Sequence, residues 1–257
     1  MKNIIPIIVL AVVLSSTSAY SQLSLTALFD GPLGSMPKIP ATETDPEIPS
    51  VPGRPRGVEL YAYEDIPNLA IFGLGVSNQK PGKEGRDISL PDVSLNAGDF
   101  FYLSRESDLF AQWFGFAPDF THNLLNQVNG LFAVELYLND TVIDTYGDIT
   151  TRSEQGNRPP WDFVDSWVYR KDFTGPDGTG FDIDNWNMPG RNSLDDETSN
   201  ASATYPVPVR TYIPDSPQPD PRSTGAAVPE PSTYGIIFSC FAIGLIVLRQ
   251  RARRQVA

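Results

Sequence analysis

Between its two ends this chain is a succession of short apolar stretches, each closed by Gly, Pro, Asn or Asp. Residues 23–29, 57–63, 70–76, 99–103, 131–138 and 141–146 are rich in β-branched and aromatic side chains and are expected as strands. Residues 165–170 and 181–185 are further strand candidates. Only 107–114 has the look of a helical turn, with Ser107 as its expected cap. Many short strands with turn signals between them predict an all-β fold, an antiparallel β-sandwich.

The plainest hairpin is 131–146, where Asn139-Asp140 can take the positive φ angles of a two-residue turn. That turn would pair Leu136 with Ile143 and Val134 with Thr145 on a core-facing side. The same register sets Glu135 opposite Asp144. Two like charges destabilise such a pair unless a cation or a basic side chain lies between them, or water relaxes them at the surface. Val58-Glu59-Leu60-Tyr61 returns as Val134-Glu135-Leu136-Tyr137, and in both copies a core residue should alternate with an outward one.

The ends are patterned differently. Met1-Lys2 precedes a nearly continuous apolar run from Ile4 to Leu14, then Ser15, Ser16, Thr17, Ser18 and Ala19. Charge, apolar run and small residues in that order make a secretory signal peptide over 1–22, with cleavage expected between Ala19 and Gln22. At the other end Tyr234 to Leu248 is apolar and is followed by Arg249, Arg251, Arg253 and Arg254. As a helix this run rises roughly 22 Å against a hydrocarbon core of about 30 Å, a shortfall that snorkelling arginines and Ser232-Thr233 can cover. A single C-terminal transmembrane helix with its arginines on the cytoplasmic side leaves the bulk of the chain facing away from the cytoplasm. Proline is dense at 32–56 and again from 205 to 231, compositions expected to form an extended insertion and a semi-rigid stalk.

Composition changes this picture in two ways. The net charge is −12, but Lys2, the four terminal arginines and Glu230 belong to the ends. Fourteen basic residues against 30 acidic ones then remain, so the exported body is near −16. A field of that sign repels nucleic acid and anionic lipid and attracts cations such as Ca²⁺. The single cysteine, Cys240, lies inside the terminal apolar run. The body therefore has neither a disulfide framework nor a thiolate metal site, and ordinary packing must hold it.

Val228-Pro229-Glu230-Pro231-Ser232-Thr233, the apolar run and the arginine cluster together resemble the bacterial PEP-CTERM sorting signal. The resemblance implies transient anchoring in the inner membrane and processing near Pro229, Glu230 and Pro231 by an exosortase-type membrane peptidase. The final location would be the cell surface or the extracellular matrix. The body is similar to a second family, the bacterial lamin-tail domain. The similarity runs through Leu28-Phe29-Asp30-Gly31-Pro32, Val58-Glu59-Leu60-Tyr61, Ala97-Gly98-Asp99-Phe100-Phe101-Tyr102, Val134-Glu135-Leu136-Tyr137-Leu138-Asn139 and Val142-Ile143-Asp144-Thr145-Tyr146-Gly147. Trp161-Asp162, Trp167-Val168-Tyr169-Arg170 and Asp184-Asn185-Trp186 resemble its C-terminal strands. The chain departs from that pattern at the proline-rich insertion after Pro32. This similarity implies an immunoglobulin-like β-sandwich over 23–204 with the insertion at about 32–56, then a proline-rich linker at 205–228 and the sorting signal at 229–254. Such domains look like accessory modules, often beside nucleases or phosphatases, and bring no known catalytic residues to transfer.

Catalytic constellations are sparse. His122 is the only histidine; no Gly-x-Ser-x-Gly elbow or phosphate-binding loop frames it, and it is expected at a loop or helix start. The stretch Asp177-Gly178-Thr179-Gly180-Phe181-Asp182-Ile183-Asp184 sets Asp177, Asp182 and Asp184 among flexible glycines. These are oxygen ligands of the kind Ca²⁺ takes, although the spacing is not that of an EF-hand and turn formation accounts for the same letters. No other cofactor is expected. Trp113, Phe114, Phe116, Trp161, Trp167 and Trp186 admit two placements, a packed core or a platform for sugar rings. Two function classes follow. One is a non-enzymatic surface or matrix protein whose sandwich binds extracellular polysaccharide, envelope proteins or itself. The other is a secreted hydrolase or hydrolase accessory acting on phosphate or sugar polymers.

Overall fold

The computed structural model describes residues 22–32, 55–77, 85–151 and 158–214. The signal peptide up to residue 21, nearly all of the proline-rich insertion, Pro229-Glu230-Pro231, the terminal apolar run and the four terminal arginines lie outside the described residues. Among those described, no helix is long and apolar enough to cross a membrane.

The described strands, in chain order, are β1 (Leu23–Asp30), β2 (Arg56–Ala62), β3 (Phe72–Val76), β4 (Ile88–Ser89), β5 (Phe100–Ser104), β6 (Phe120–Thr121), β7 (Val134–Leu138), β8 (Thr141–Tyr146), β9 (Trp167–Arg170) and β10 (Trp186–Asn187). They form a six-stranded sheet in the order β10-β9-β1-β2-β5-β6 and a four-stranded sheet in the order β4-β3-β7-β8. Pairing is antiparallel except between β5 and β6. Leu25, Leu28, Val58 and Leu60 of the first sheet share one buried cluster with Phe72, Leu74, Val134 and Leu136 of the second. That cluster is the core of a β-sandwich, as the strand pattern predicts.

Every residue of β1 is buried, and a bulge explains how. Leu23 and Leu25 face the inter-sheet core; the register with β2 then shifts between Leu25 and Ala27. Leu28 therefore continues into that core, whereas Ala27 and Phe29 turn to the opposite face. The opposite face is covered as well. Helix α1 (Ser107–Phe114) and the segment from Leu194 to Tyr212 lay Leu109, Phe110, Trp113, Leu194, Val207 and Tyr212 against it. A strand enclosed on both faces carries apolar side chains to both, and its polar residues Ser24, Thr26 and Asp30 are buried with them. The cap position of α1 is taken by Glu106 in extended conformation, without a side-chain cap bond, and Ser107 is the first helical residue rather than the cap. Gly115 closes the helix at φ 80°.

The 131–146 hairpin forms with a change of register inside it. Beside the turn, where Asn139 has φ 52°, Leu138 faces Thr141 and Tyr137 faces Val142 as a two-residue turn requires. Beyond Ile143, which is left unpaired, Leu136 lies opposite Asp144, Glu135 opposite Thr145 and Val134 opposite Tyr146. The expected pairing of Glu135 with Asp144 is thus replaced, because one extra residue reverses the facing of all that follow. Asp144 is buried and bonds to β1, while Glu135 sits on the side away from Val134 and Leu136 and accepts from the Tyr137 hydroxyl at 2.6 Å. The repeated tetrapeptide occupies equivalent settings in the two sheets. Its Val and Leu are core residues in both copies, and Glu59 and Glu135 are both buried on the other side.

Two further expectations change. Residues 183–185 form a 3₁₀ turn capped by Asp182, whose carboxylate takes the Asp184 N–H, so strand pairing is confined to Trp186–Asn187. The stretch from Tyr205 to Pro214, expected as the start of a stalk, is part of the folded body, with Val207 and Tyr212 only 2% and 4% exposed. Val207 and Tyr212, lying between the prolines, dock this segment on the first sheet. Ending the chain at Thr204 instead of Pro214 should therefore uncover the outer aromatic cluster. Losing the burial of a valine and a tyrosine lowers the unfolding midpoint by roughly 10 °C; equal midpoints for the two truncations by scanning calorimetry would refute the docking.

Candidate functional site

Strand β9 carries an arginine into the interior. All four residues of Trp167-Val168-Tyr169-Arg170 are buried, and the Arg170 side chain is fully enclosed. Its Nε donates to the Leu25 carbonyl on β1 at 2.7 Å, and one terminal nitrogen donates to both Asp144 oxygens on β8 at 2.7 and 2.8 Å. The other terminal nitrogen donates to Asp177 Oδ2 at 2.9 Å, and the guanidinium lies 4.4 Å from the Trp186 ring centroid. Asp144 also accepts the N–H groups of Leu25 at 2.8 Å, Thr145 at 3.0 Å and Asp177 at 3.0 Å. Burial pushes the Asp144 carboxyl upward, against the pull of the Arg170 charge and of the Asp177 and Leu25 N–H groups. Burial also opposes the Arg170 cation, but the charges of Asp144 and Asp177 outweigh it and hold the guanidinium protonated. Gly175, at φ 74°, leaves the room this requires, since a Cβ there would collide with the guanidinium.

The three aspartates of the acidic loop are drawn to different tasks. Asp177 gives one oxygen to Arg170 and the other to the Asn185 side-chain amide at 3.0 Å. Asp182 caps the following turn at 2.9 Å, and Asp184 is exposed, its carbonyl accepting from Lys171 Nζ at 2.7 Å. Among the described residues no three His, Cys, Asp or Glu side chains gather as metal ligands.

A second buried carboxylate fastens the C-terminal segment. Glu59 accepts from the Thr26 hydroxyl at 2.7 Å, the Tyr102 hydroxyl at 2.5 Å and the Arg210 backbone N–H at 2.9 Å. Arg210 is at φ 58°, and its guanidinium covers Phe116 at 4.5 Å. The Tyr169 oxygen accepts the next two N–H groups, of Thr211 and Tyr212, each at 2.9 Å. Tyr212 donates to the Thr174 carbonyl at 2.7 Å, and Trp167 Nε1 to the Tyr205 carbonyl at 2.8 Å. Desolvation raises the Glu59 pKa above its ordinary 4.5, against the lowering pull of these donors.

Other sequence candidates fall into place as structural residues. His122 stands at the start of the 3₁₀ turn Asn123–Gln127, accepting the Leu124 N–H at 3.3 Å and stacking on Phe120. Trp113, Trp161, Trp167 and Trp186 are 1%, 4%, 8% and 3% exposed, so they are core residues and not a sugar platform. Phe114 and Phe116 are half-buried in the outer cluster.

One open cleft, of about 470 Å³, sets two arginines beside a single carboxylate. It lies where the turn before β9 meets the turn after β10, and Arg158, Asp162, Met188 and Arg191 line it together with Pro159, Pro160 and Pro189. The two turns are held side by side by Asn192 N–H to the Val164 carbonyl at 2.9 Å and Leu194 N–H to the Asp165 carbonyl at 3.1 Å. Asp162 fixes Arg158 at 2.9 Å with one oxygen and takes the Val164 N–H at 3.0 Å with the other. Neither the cleft nor the buried role of Arg170 is legible in the sequence. The available signals were an arginine closing an apolar strand and two proline-bearing turns each with an arginine, but nothing in the letters says that the turns meet. Set against protein families, curated proteins and solved structures, the chain matches none.

Arg170→Ala leaves Asp144 buried without its cation and should destabilise the domain by about 3–5 kcal/mol; urea unfolding at neutral pH measures it, and a loss below the error of the fit would contradict the cross-link. Glu59 adds a pH dependence. A carboxyl whose pKa is higher in the folded chain binds its proton more readily there, so stability declines as pH rises from 4.5 through the raised value. Glu59→Gln should flatten that decline. The amide can donate to Thr26 Oγ1 while its oxygen keeps Tyr102 and Arg210, and Thr26 has the Glu59 backbone carbonyl at 3.2 Å as its own acceptor. An unchanged slope of midpoint against pH in the variant would argue against a raised Glu59.

Proposed function

We propose that this protein is an exported, non-enzymatic component of the cell surface or extracellular matrix, with its β-sandwich acting as a binding or structural module. The observation that carries this is the joint pattern of the two ends: a signal-peptide N-terminus and a C-terminal Pro229-Glu230-Pro231 motif, apolar run and arginine cluster. That pattern assigns the chain to an exosortase-type membrane peptidase after transient anchoring in the inner membrane. The body then belongs with immunoglobulin-like, lamin-tail-type sandwiches. In support, β1, β2 and β5 lie adjacent in one sheet and β4, β3, β7 and β8 form the other, an arrangement that matches the A-B-E and C′-C-F-G strands of such folds.

The setting of the charged side chains supports a module rather than a reaction centre. Asp144, Asp177 and Arg170 join elements of the two sheets, and Glu59 holds the C-terminal segment. The cleft beside β9 and β10 offers a surface on which a partner can sit.

Mass spectrometry of the C-terminal peptide, from the native envelope and from extracellular material separately, tests the reading. A terminus within 229–233 in the extracellular fraction is expected. A terminus at Ala257 confined to membranes would overturn sorting and release.

A further inference from the structure

The cleft beside β9 and β10 opposes the charge of the body around it. Arg158 and Arg191 line it against the single carboxylate of Asp162, in a body near −16. The Asp162 side chain is only 1% exposed, and its oxygens are directed to Arg158 and to the Val164 N–H. Its role is therefore to hold Arg158, whose side chain keeps 27% of its exposure. A ligand meets a guanidinium that is already oriented, which reduces the ordering penalty of binding. Arg191 is exposed and follows Gly190 at φ 103°. Pro159, Pro160, Pro189, Met188 and Gly190 supply the rest of the lining, and the proline rings lose little freedom when covered.

We propose that this cleft binds a carboxylate-bearing sugar of an acidic polysaccharide. The two guanidiniums take the carboxylate, and the proline and methionine surfaces pack against the C–H face of the ring. A volume of about 470 Å³ falls in the roughly 300–1,000 Å³ range of small-ligand sites, and an open cleft lets a polymer run on past the bound unit. The proposal rests on the extracellular-matrix reading for the source of the polymer. An acidic protein segment would bring the carboxylates without the ring face, and a neutral glycan the ring face without the charge.

Affinity electrophoresis of the full-length protein in gels containing polygalacturonate, dextran or polyglutamate decides between these. Retardation by polygalacturonate alone is expected, weakening as salt is added. Arg191→Ala should weaken it about fivefold with the unfolding midpoint unchanged. Arg105→Ala, a half-exposed arginine beside Glu106, should leave it as it was. No retardation by polygalacturonate, equal retardation by dextran or polyglutamate, or an equal loss in Arg105→Ala would each overturn the proposal. A protein that is processed and extracellular yet fails this assay keeps the proposed function and loses this ligand.

Discussion

The guanidinium of Arg170 joins the two sheets at one buried point, and both strand irregularities of the sandwich converge there. The bulge in β1 falls just after Leu25, whose carbonyl receives Arg170 and whose N–H reaches Asp144. The bulge in β8 falls at Ile143 and turns Asp144 toward the first sheet. Either strand in regular register would aim these groups elsewhere, and a charge would be left in the core without a partner. An enclosed cation held by four oxygens of three residues ties the sheets together at this point.

The six-stranded sheet then carries a layer on each side. Its outer layer is helix α1 and a proline-bearing C-terminal segment that belongs to no strand, so the segment's N–H groups have no neighbouring strand to accept them. The sheet supplies the acceptors from side chains: Glu59 for Arg210, and the Tyr169 oxygen for Thr211 and Tyr212. Glu59 pays for this position in desolvation, and the hydroxyls of Thr26 and Tyr102 offset part of it. A segment with the composition of a stalk thereby becomes part of the domain.

These buried networks also bear on what the surface can do. Among the described residues six of the seven buried charged side chains are carboxylates, yet the body keeps an excess of acidic residues and the cleft at Arg158 and Arg191 contrasts with it. That cleft is a consequence of strand order. Pairing of β9 with β10 brings together the turn before one and the turn after the other.

The short apolar runs alone, rich in β-branched and aromatic residues and closed by turn residues, determined that this is an all-β protein and roughly where its strands lie, because strand preference and turn chemistry are local properties of the backbone. Facing was not legible. A single unpaired residue, Ile143 in β8, reverses every side chain beyond it, and no local preference announces it. Partnership was not legible either: Asp144 and Leu25 are 119 residues apart in the chain. Asp177 in a glycine-rich loop reads as a turn residue, with a cation ligand as the alternative, until Arg170 is placed beside it. The docking of 205–214 and the meeting of two arginine-bearing turns depend in the same way on surfaces that exist only once both sheets have formed. Local chemistry sets the elements, and tertiary contact alone decides which face each one turns and which charge it meets.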